Sequence, residues 1–216
     1  PFFIKQLKIN NMAMVNSEKY LSPKLKRIWA NDLYKDFRAC TPLAPANILK
    51  NSLLFIGINP SHAKIYNGVD FYPLTQEAPH PYFKKFETIS KETKLKWTHF
   101  DLLYMRETKQ NEVKKILDKP NGKEYINEQL LLSKGLFDLC KPKVIVVNNA
   151  FARDLMFGEM KMNFVFNENI GTHFWNNKTP VFFTSGLTGQ RALDNGSYKR
   201  LVWHIKRALT NLTKTK

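Results

Sequence analysis

The sequence predicts an α/β protein, a three-layer α/β/α sandwich around a central, mostly parallel four-stranded sheet. Two observations predict it. Four short segments, at 52–57, 97–104, 144–147 and 180–184, read as buried strands, with 52–57 and 144–147 the plainest unbroken apolar runs. Amphipathic stretches with helical spacing separate them, the alternation that yields a parallel sheet covered by helices. With 216 residues, 43% of them apolar, the chain can bury one substantial core. The expected division is an extension over 1–16, a single domain over 17–212 and a basic tail over 213–216.

The first helix is expected to open at Ser17, whose hydroxyl can cap free backbone N–H groups, while Glu18 suits the helix dipole. Pro23 is a candidate break, with the pattern resuming through Ile28 and Trp29 to Phe37. The run 52–57 then ends in Gly57, and a loop rich in Gly, Pro and aromatics follows from 58 to about 81. Loops of that length in compact domains are usually functional or disordered. Phe83, Phe86 and Ile89 mark one helix face, and 97–104 reads as the second strand. Tyr125, Leu130, Leu131, Leu136 and Leu139 give a helix over 124–140, stopped by Pro142. The strand 144–147, a short helix over 150–156, an irregular stretch over 167–177 and the strand 180–184 follow. In the last helix Tyr198, Leu201, Val202, Ile205, Ala208, Leu209 and Leu212 keep the i, i+3, i+4, i+7 spacing, with Asp194 or Asn195 as cap.

Charge narrows the class of partner. The chain has 34 Lys and Arg against 18 Asp and Glu, a net charge of +16. Such an excess favours nucleic acid or an acidic membrane surface; the plain alternative is a soluble protein from a Lys-rich proteome. No acidic residue follows Asp194, whereas Lys199, Arg200, Lys206, Arg207, Lys214 and Lys216 crowd the last helix. Cys40 and Cys140 are a hundred positions apart, which excludes a four-ligand zinc site or an iron–sulfur cluster and makes no disulfide framework. No apolar run approaches the roughly 18 residues of a membrane span, and residues 1–9 lack a signal-peptide core. A cytoplasmic protein, not held in a membrane, is expected.

In parallel sheets the ligand crevice lies beyond the carboxyl ends of the strands. That singles out 58–61, 104–106, 148–149 and 185–191. Gly57-Ile58-Asn59-Pro60-Ser61 forms a fixed turn that aims an amide outward, although Gly and Asn-Pro also end ordinary strands. Ser185-Gly186-Leu187-Thr188-Gly189-Gln190-Arg191 combines small and hydroxyl residues with glycines, so its backbone N–H groups can approach a phosphate or base. It lacks the Gly-Lys-Ser/Thr ending of a Walker loop and is not a dinucleotide fingerprint. A flexible connection is the alternative.

In this order the elements resemble the uracil-DNA glycosylase superfamily. Gly57-Ile58-Asn59-Pro60-Ser61 is similar to the Gly-Ile-Asn-Pro-Gly motif of its mismatch-specific branch, and Ser185-Gly186-Leu187-Thr188 to the Ser-Gly-Leu-Ser core of that branch's second motif. Phe100-Asp101-Leu102-Leu103 with Arg106, and 144–150, resemble the family's second and third strands with their tails. The resemblance spans 53–209.

It implies an enzyme that flips a base out of DNA and hydrolyses its N-glycosidic bond. Asn59 and Ser185 would be catalytic, Asn59 positioning the attacking water or touching the base. Ile58, Phe71, Asp101 and Asn148 would line the base site, with Phe71 stacking on the flipped ring. Ser61, Gly186, Leu187, Thr188, Gln190, Arg191, Lys199 and Arg200 would hold DNA, with Leu187 as the wedge. The partner would be damaged or mismatched duplex or single-stranded DNA, and the protein a monomer without metal or cofactor.

Three departures stand out. Ser61 replaces the glycine that closes the first motif, and Phe183-Thr184 precedes the second where His-Pro or Asn-Pro is common. Asp101 falls near the asparagine with which many members read uracil. A carboxylate only accepts hydrogen bonds, so it opposes a uracil carbonyl and favours an amino-bearing base. Two other classes compete: a nucleic-acid-binding protein of the same fold without catalysis, and a small-molecule enzyme acting on a nucleotide or phosphate ester. Among the histidines, His62 could donate to a phosphate, His80 is expected to cap a helix, and His99 and His204 to be structural; the role of His173 is open.

Overall fold

The structure is a computed structural model that describes residues 13–38, 40–62, 68–77, 80–188 and 192–214. The elements run β1 (Met14–Asn16), α1 (Ser17–Ala30), β2 (Ala44–Pro45), β3 (Asn47–Leu49), β4 (Leu53–Gly57), β5 (Phe71–Tyr72), α2 (Lys84–Thr93) and β6 (Trp97–Asp101). After these come α3 (Gln110–Ile116), α4 (Gly122–Cys140), β7 (Val144–Val147), α5 (Ala150–Phe157), β8 (Phe164–Asn167), β9 (Thr172–Trp175), β10 (Thr179–Phe183) and α6 (Asn195–Lys214).

The central sheet has six strands in the order β6-β4-β7-β10-β9-β8. Its first four strands pair in parallel and coincide with the four predicted runs, but the second run ends as a strand at Asp101, not 104. The expected strand count of four is corrected by the β8–β9 hairpin, which extends the sheet antiparallel from β10. Sequence pattern misses it because β8 is an edge strand with Val165 and Phe166 exposed, so it carries no buried apolar run. The turn into β10 is made by Asn176 and Asn177, both in the left-handed region at φ 51° and 56°, which asparagine tolerates.

Alternation along the strands divides the core. Leu54, Ile56, Phe100, Ile145, Val147 and Val181 pack with the apolar faces of α1, α3, α4 and α5. Leu53, Phe55, Trp97, Val144, Val146 and Phe182 pack with α2 and α6. Successive side chains of a strand point to opposite faces, so helices cover both sides of the sheet.

Local chemistry sets several boundaries. Helix α1 does begin at Ser17, but its cap is Asn16, whose side chain accepts from the Lys19 N–H at 2.8 Å, while the Ser17 hydroxyl donates to the Pro45 carbonyl at 2.7 Å. Pro23 lies inside α1 without ending it; the helix stops at Ala30 and a 3-10 turn over Asp32–Phe37 follows. Residues 14–16, expected to be extension, pair as β1 with β3 and belong to the fold. Asp194 accepts from the Ser197 N–H at 2.9 Å and its hydroxyl at 2.6 Å at the start of α6. Among the described residues no helix is long and apolar enough to cross a membrane.

Candidate functional site

The parallel strand ends are joined along one edge of the sheet. The Leu102 N–H donates to the Gly57 carbonyl at 3.2 Å, the Asn148 N–H to Ile56 at 3.0 Å and the Thr184 N–H to Val147 at 2.9 Å. The four segments marked in the sequence therefore emerge side by side. A cavity of about 210 Å3 opens at the β4–β6 end of this edge. The loop after β4 supplies Asn59, Pro60 and Ser61, and β6 supplies His99 and Asp101. Aromatic cover comes from Tyr72 on β5 and from Tyr82 and Phe83 before α2, with His80 and Leu43 at the sides. Drug-sized sites run to roughly 300–1,000 Å3, so this volume suits a single small ring system.

Asn59 is fixed by its surroundings. Its amide nitrogen donates to the carbonyls of Glu107 at 2.7 Å, Pro60 at 2.9 Å and Met105 at 3.4 Å. Two N–H bonds serve three carbonyls, so the group Asn59 can offer a ligand or water is its carbonyl oxygen, an acceptor. The same bonds tie the loop after β4 to the loop after β6. Arg106, behind that second loop, donates to the Pro42 carbonyl at 3.1 Å, to Thr41 Oγ1 at 3.3 Å and to the Val69 carbonyl. This buried guanidinium organises loops.

On β6, residues 97, 99 and 101 share the α2 face of the sheet. Asp101 stands opposite Gly57 in the β4–β6 register, and its Oδ1 is 3.5 Å from His99 Nε2. The other ring nitrogen of His99, Nδ1, is 3.2 Å from the Tyr72 hydroxyl. Tyr82, Phe83 and Phe86 surround the imidazole with ring centroids 5.8, 5.3 and 5.5 Å away. Burial, reinforced by the Asp101 charge, drives the Tyr82 phenol well above its ordinary pKa, so the hydroxyl keeps its proton. Asn148 donates to that hydroxyl at 3.3 Å, while its own buried Oδ1 has no hydrogen-bond partner among the described residues.

Of the residues singled out in the sequence, Asn59, Ser61 and Asp101 share this cavity. Asn148 stands behind Tyr82. Ile58 is a core residue on the opposite face, packed with α1 and α4 side chains. Phe71 also packs towards that face; its neighbour Tyr72 lines the cavity, as the alternation of a strand requires. Leu187 is 3% exposed and packs in the α2–α6 core, so it is an anchor and not a protruding wedge. Ser185 is exposed and does not line the cavity. Gly186 and Thr188 are half-buried, and the Gly186 carbonyl accepts from the Leu193 N–H at 3.0 Å. Lys199 and Arg200 are exposed on the first turns of α6, Arg200 beside a separate hollow with His173 and His204. Gln190 and Arg191 lie outside the described residues.

His80 caps the turn at Pro81–Phe83, its Nδ1 accepting from the Tyr82 N–H at 3.2 Å, and also reaches the cavity. His99, Tyr72 and Tyr82 are the site residues the sequence reading missed. The period-two spacing of 99 and 101 was the available signal for His99. Among the described residues no cluster of three or more His, Cys, Asp or Glu side chains is placed to hold a metal ion. No protein-family model matches the chain, and no curated protein is significantly similar to it.

Proposed function

We propose that this chain is a DNA glycosylase of the uracil-DNA glycosylase type, a three-layer sandwich that receives an extruded, damaged or mismatched base and hydrolyses its N-glycosidic bond. The observation that carries the proposal is the small cavity at the carboxyl ends of β4 and β6, with an anchored amide at Asn59 and a carboxylate at Asp101 on its walls. Bond cleavage places positive charge on the sugar and negative charge on the leaving base. A fixed acceptor such as the Asn59 carbonyl can orient a water for attack, and preorganised charge supplies much of the rate in such sites. The net charge of +16 and the basic first turns of α6 suit a phosphate backbone.

A second reading has one specific observation in its favour. The Asn59 amide nitrogen is fully engaged by backbone carbonyls, which suits a protein of this fold that binds nucleic acid without cleaving it. One experiment separates them. Duplex and single-stranded oligonucleotides carrying a panel of lesions and mismatches are incubated with the protein, and abasic sites are scored by alkaline cleavage. The glycosylase reading expects release from at least one substrate, lost in Asn59→Ala while the melting temperature shows a folded protein. Binding with a steep salt dependence but no release from any substrate supports the second reading. Neither binding nor release overturns both.

A further inference from the structure

The His99–Asp101 pair is a built feature of the cavity wall. His99 is 2% exposed, and its Nε2 is buried without a hydrogen-bond partner among the described residues, 3.5 Å from Asp101 Oδ1. A carboxylate can only accept, so the compatible tautomer carries its proton on Nε2 and accepts at Nδ1 from the Tyr72 hydroxyl 3.2 Å away. Gly57 supplies the space: a Cβ there would fall 2.0 Å from Asp101 Oδ1 and 3.4 Å from His99 Nε2. Gly57 does not have a positive φ, so room for the pair, and not backbone freedom, is what glycine provides. Asp101, 13% exposed, is the member of the pair that a ligand reaches.

We propose that the cavity takes a ring carrying an exocyclic amino group, an aminopyrimidine or aminopurine base, with Asp101 accepting its N–H and His99 positioning the carboxylate. This deepens the glycosylase reading and rests on it for the source of the base. A carbonyl edge set against the carboxylate brings two acceptors together with no proton between them; an amino edge supplies the proton. The Tyr82 hydroxyl, accepting from Asn148, keeps its own proton for a ring nitrogen or carbonyl beside the amino group.

Free bases test the proposal without DNA. Cytosine and uracil differ at position 4 by an amino group against a carbonyl, and adenine and hypoxanthine differ likewise at position 6. Calorimetric titration of the intact protein should show each amino member binding about tenfold tighter or more than its oxo partner, the discrimination expected of a good edge contact. In Asp101→Asn, which adds a donor at the same volume, the ratio should collapse or invert. His99→Gln, which keeps an N–H toward Asp101, should retain the preference, and His99→Leu should lose it. Uracil binding as tightly as cytosine, or a preference unchanged in Asp101→Asn or His99→Leu, overturns the proposal. An amino preference without any base release from DNA rejects the glycosylase reading alone, whereas base release with uracil preferred rejects the amino assignment alone. No binding of any free base rejects the amino assignment, while base release from DNA alone decides the glycosylase reading.

Discussion

Gly57→Ala is the sharpest probe of the site, because its effect depends on one neighbour. The new Cβ would stand 2.0 Å from Asp101 Oδ1 and 3.3 Å from Asp101 Cγ, so the carboxylate must leave its place. Forcing a methyl into a filled space costs about 1–3 kcal/mol. For a chain of this size that corresponds to a fall in melting temperature of about 2–12 °C. Without the clash the substitution should be mildly favourable, by about 0.4–1 kcal/mol, because alanine narrows the unfolded ensemble. Asp101→Ala removes both clashing atoms. A double-mutant cycle followed by thermal unfolding should therefore give a coupling of about 1–4 kcal/mol, with Gly57→Ala costly in the native background and neutral or better beside Asp101→Ala. Equal costs in the two backgrounds would refute the claim that Gly57 exists to seat the carboxylate.

Other outcomes follow from packing and charge. Leu187→Ala should destabilise the protein by about 2–5 kcal/mol, measured by denaturant unfolding, since the side chain is an anchor in the α2–α6 core. Phe86→Ala should cost about 3–5 kcal/mol, because its ring is fully buried and stacks on Phe55 with centroids 4.2 Å apart. Hydrogen bonds from Ser197 hold the Asp194 carboxyl below its ordinary pKa. A lowered carboxyl stabilises the fold above its unfolded pKa and loses that effect as pH falls through the folded value. Asp194→Asn, still a competent cap, should therefore flatten the acid limb of the stability–pH curve. Burial pushes the Cys140 thiol up to about 12, so at pH near 8 it should resist alkylation until the protein is unfolded, as mass spectrometry can score.

The parallel half of the sheet was legible because strands covered on both faces leave unbroken apolar runs, and α2, α4 and α6 were legible because each keeps one apolar stripe. The β8–β9 hairpin was not: Phe166 at 53% exposed carries β-propensity without burial, and only the paired asparagines at 176 and 177 hint at a turn. Asn59 could be found because its turn chemistry is local. The Tyr72 contribution could not, since a two-residue strand has no period to show whether Phe71 or Tyr72 faces the site, and pairing of β5 with β2 decides it. Leu187 misleads for a related reason. A leucine between glycines looks exposed in sequence, yet the chain after β10 turns onto the α2–α6 face and buries it.

Connectivity explains why the cavity forms beside β4 and β6. From β4 the chain leads to α2 on one face of the sheet, whereas from β6 it leads to α3 and α4 on the other. Adjacent parallel strands whose continuations leave to opposite faces open a crevice between their carboxyl ends. Here the crevice is closed below by the Gly57–Asp101 register and above by the aromatic turn entering α2, and the Asn59 amide ties its two loops together. The cavity is thus a consequence of strand order. Its chemical character comes from side chains on its wall, Tyr72, His99 and Asp101 among them, that strand order alone does not specify. A glycine at 57 is what permits a carboxylate at 101 to turn toward a buried imidazole, so a larger side chain at 57 and a carboxylate at 101 compete for the same space.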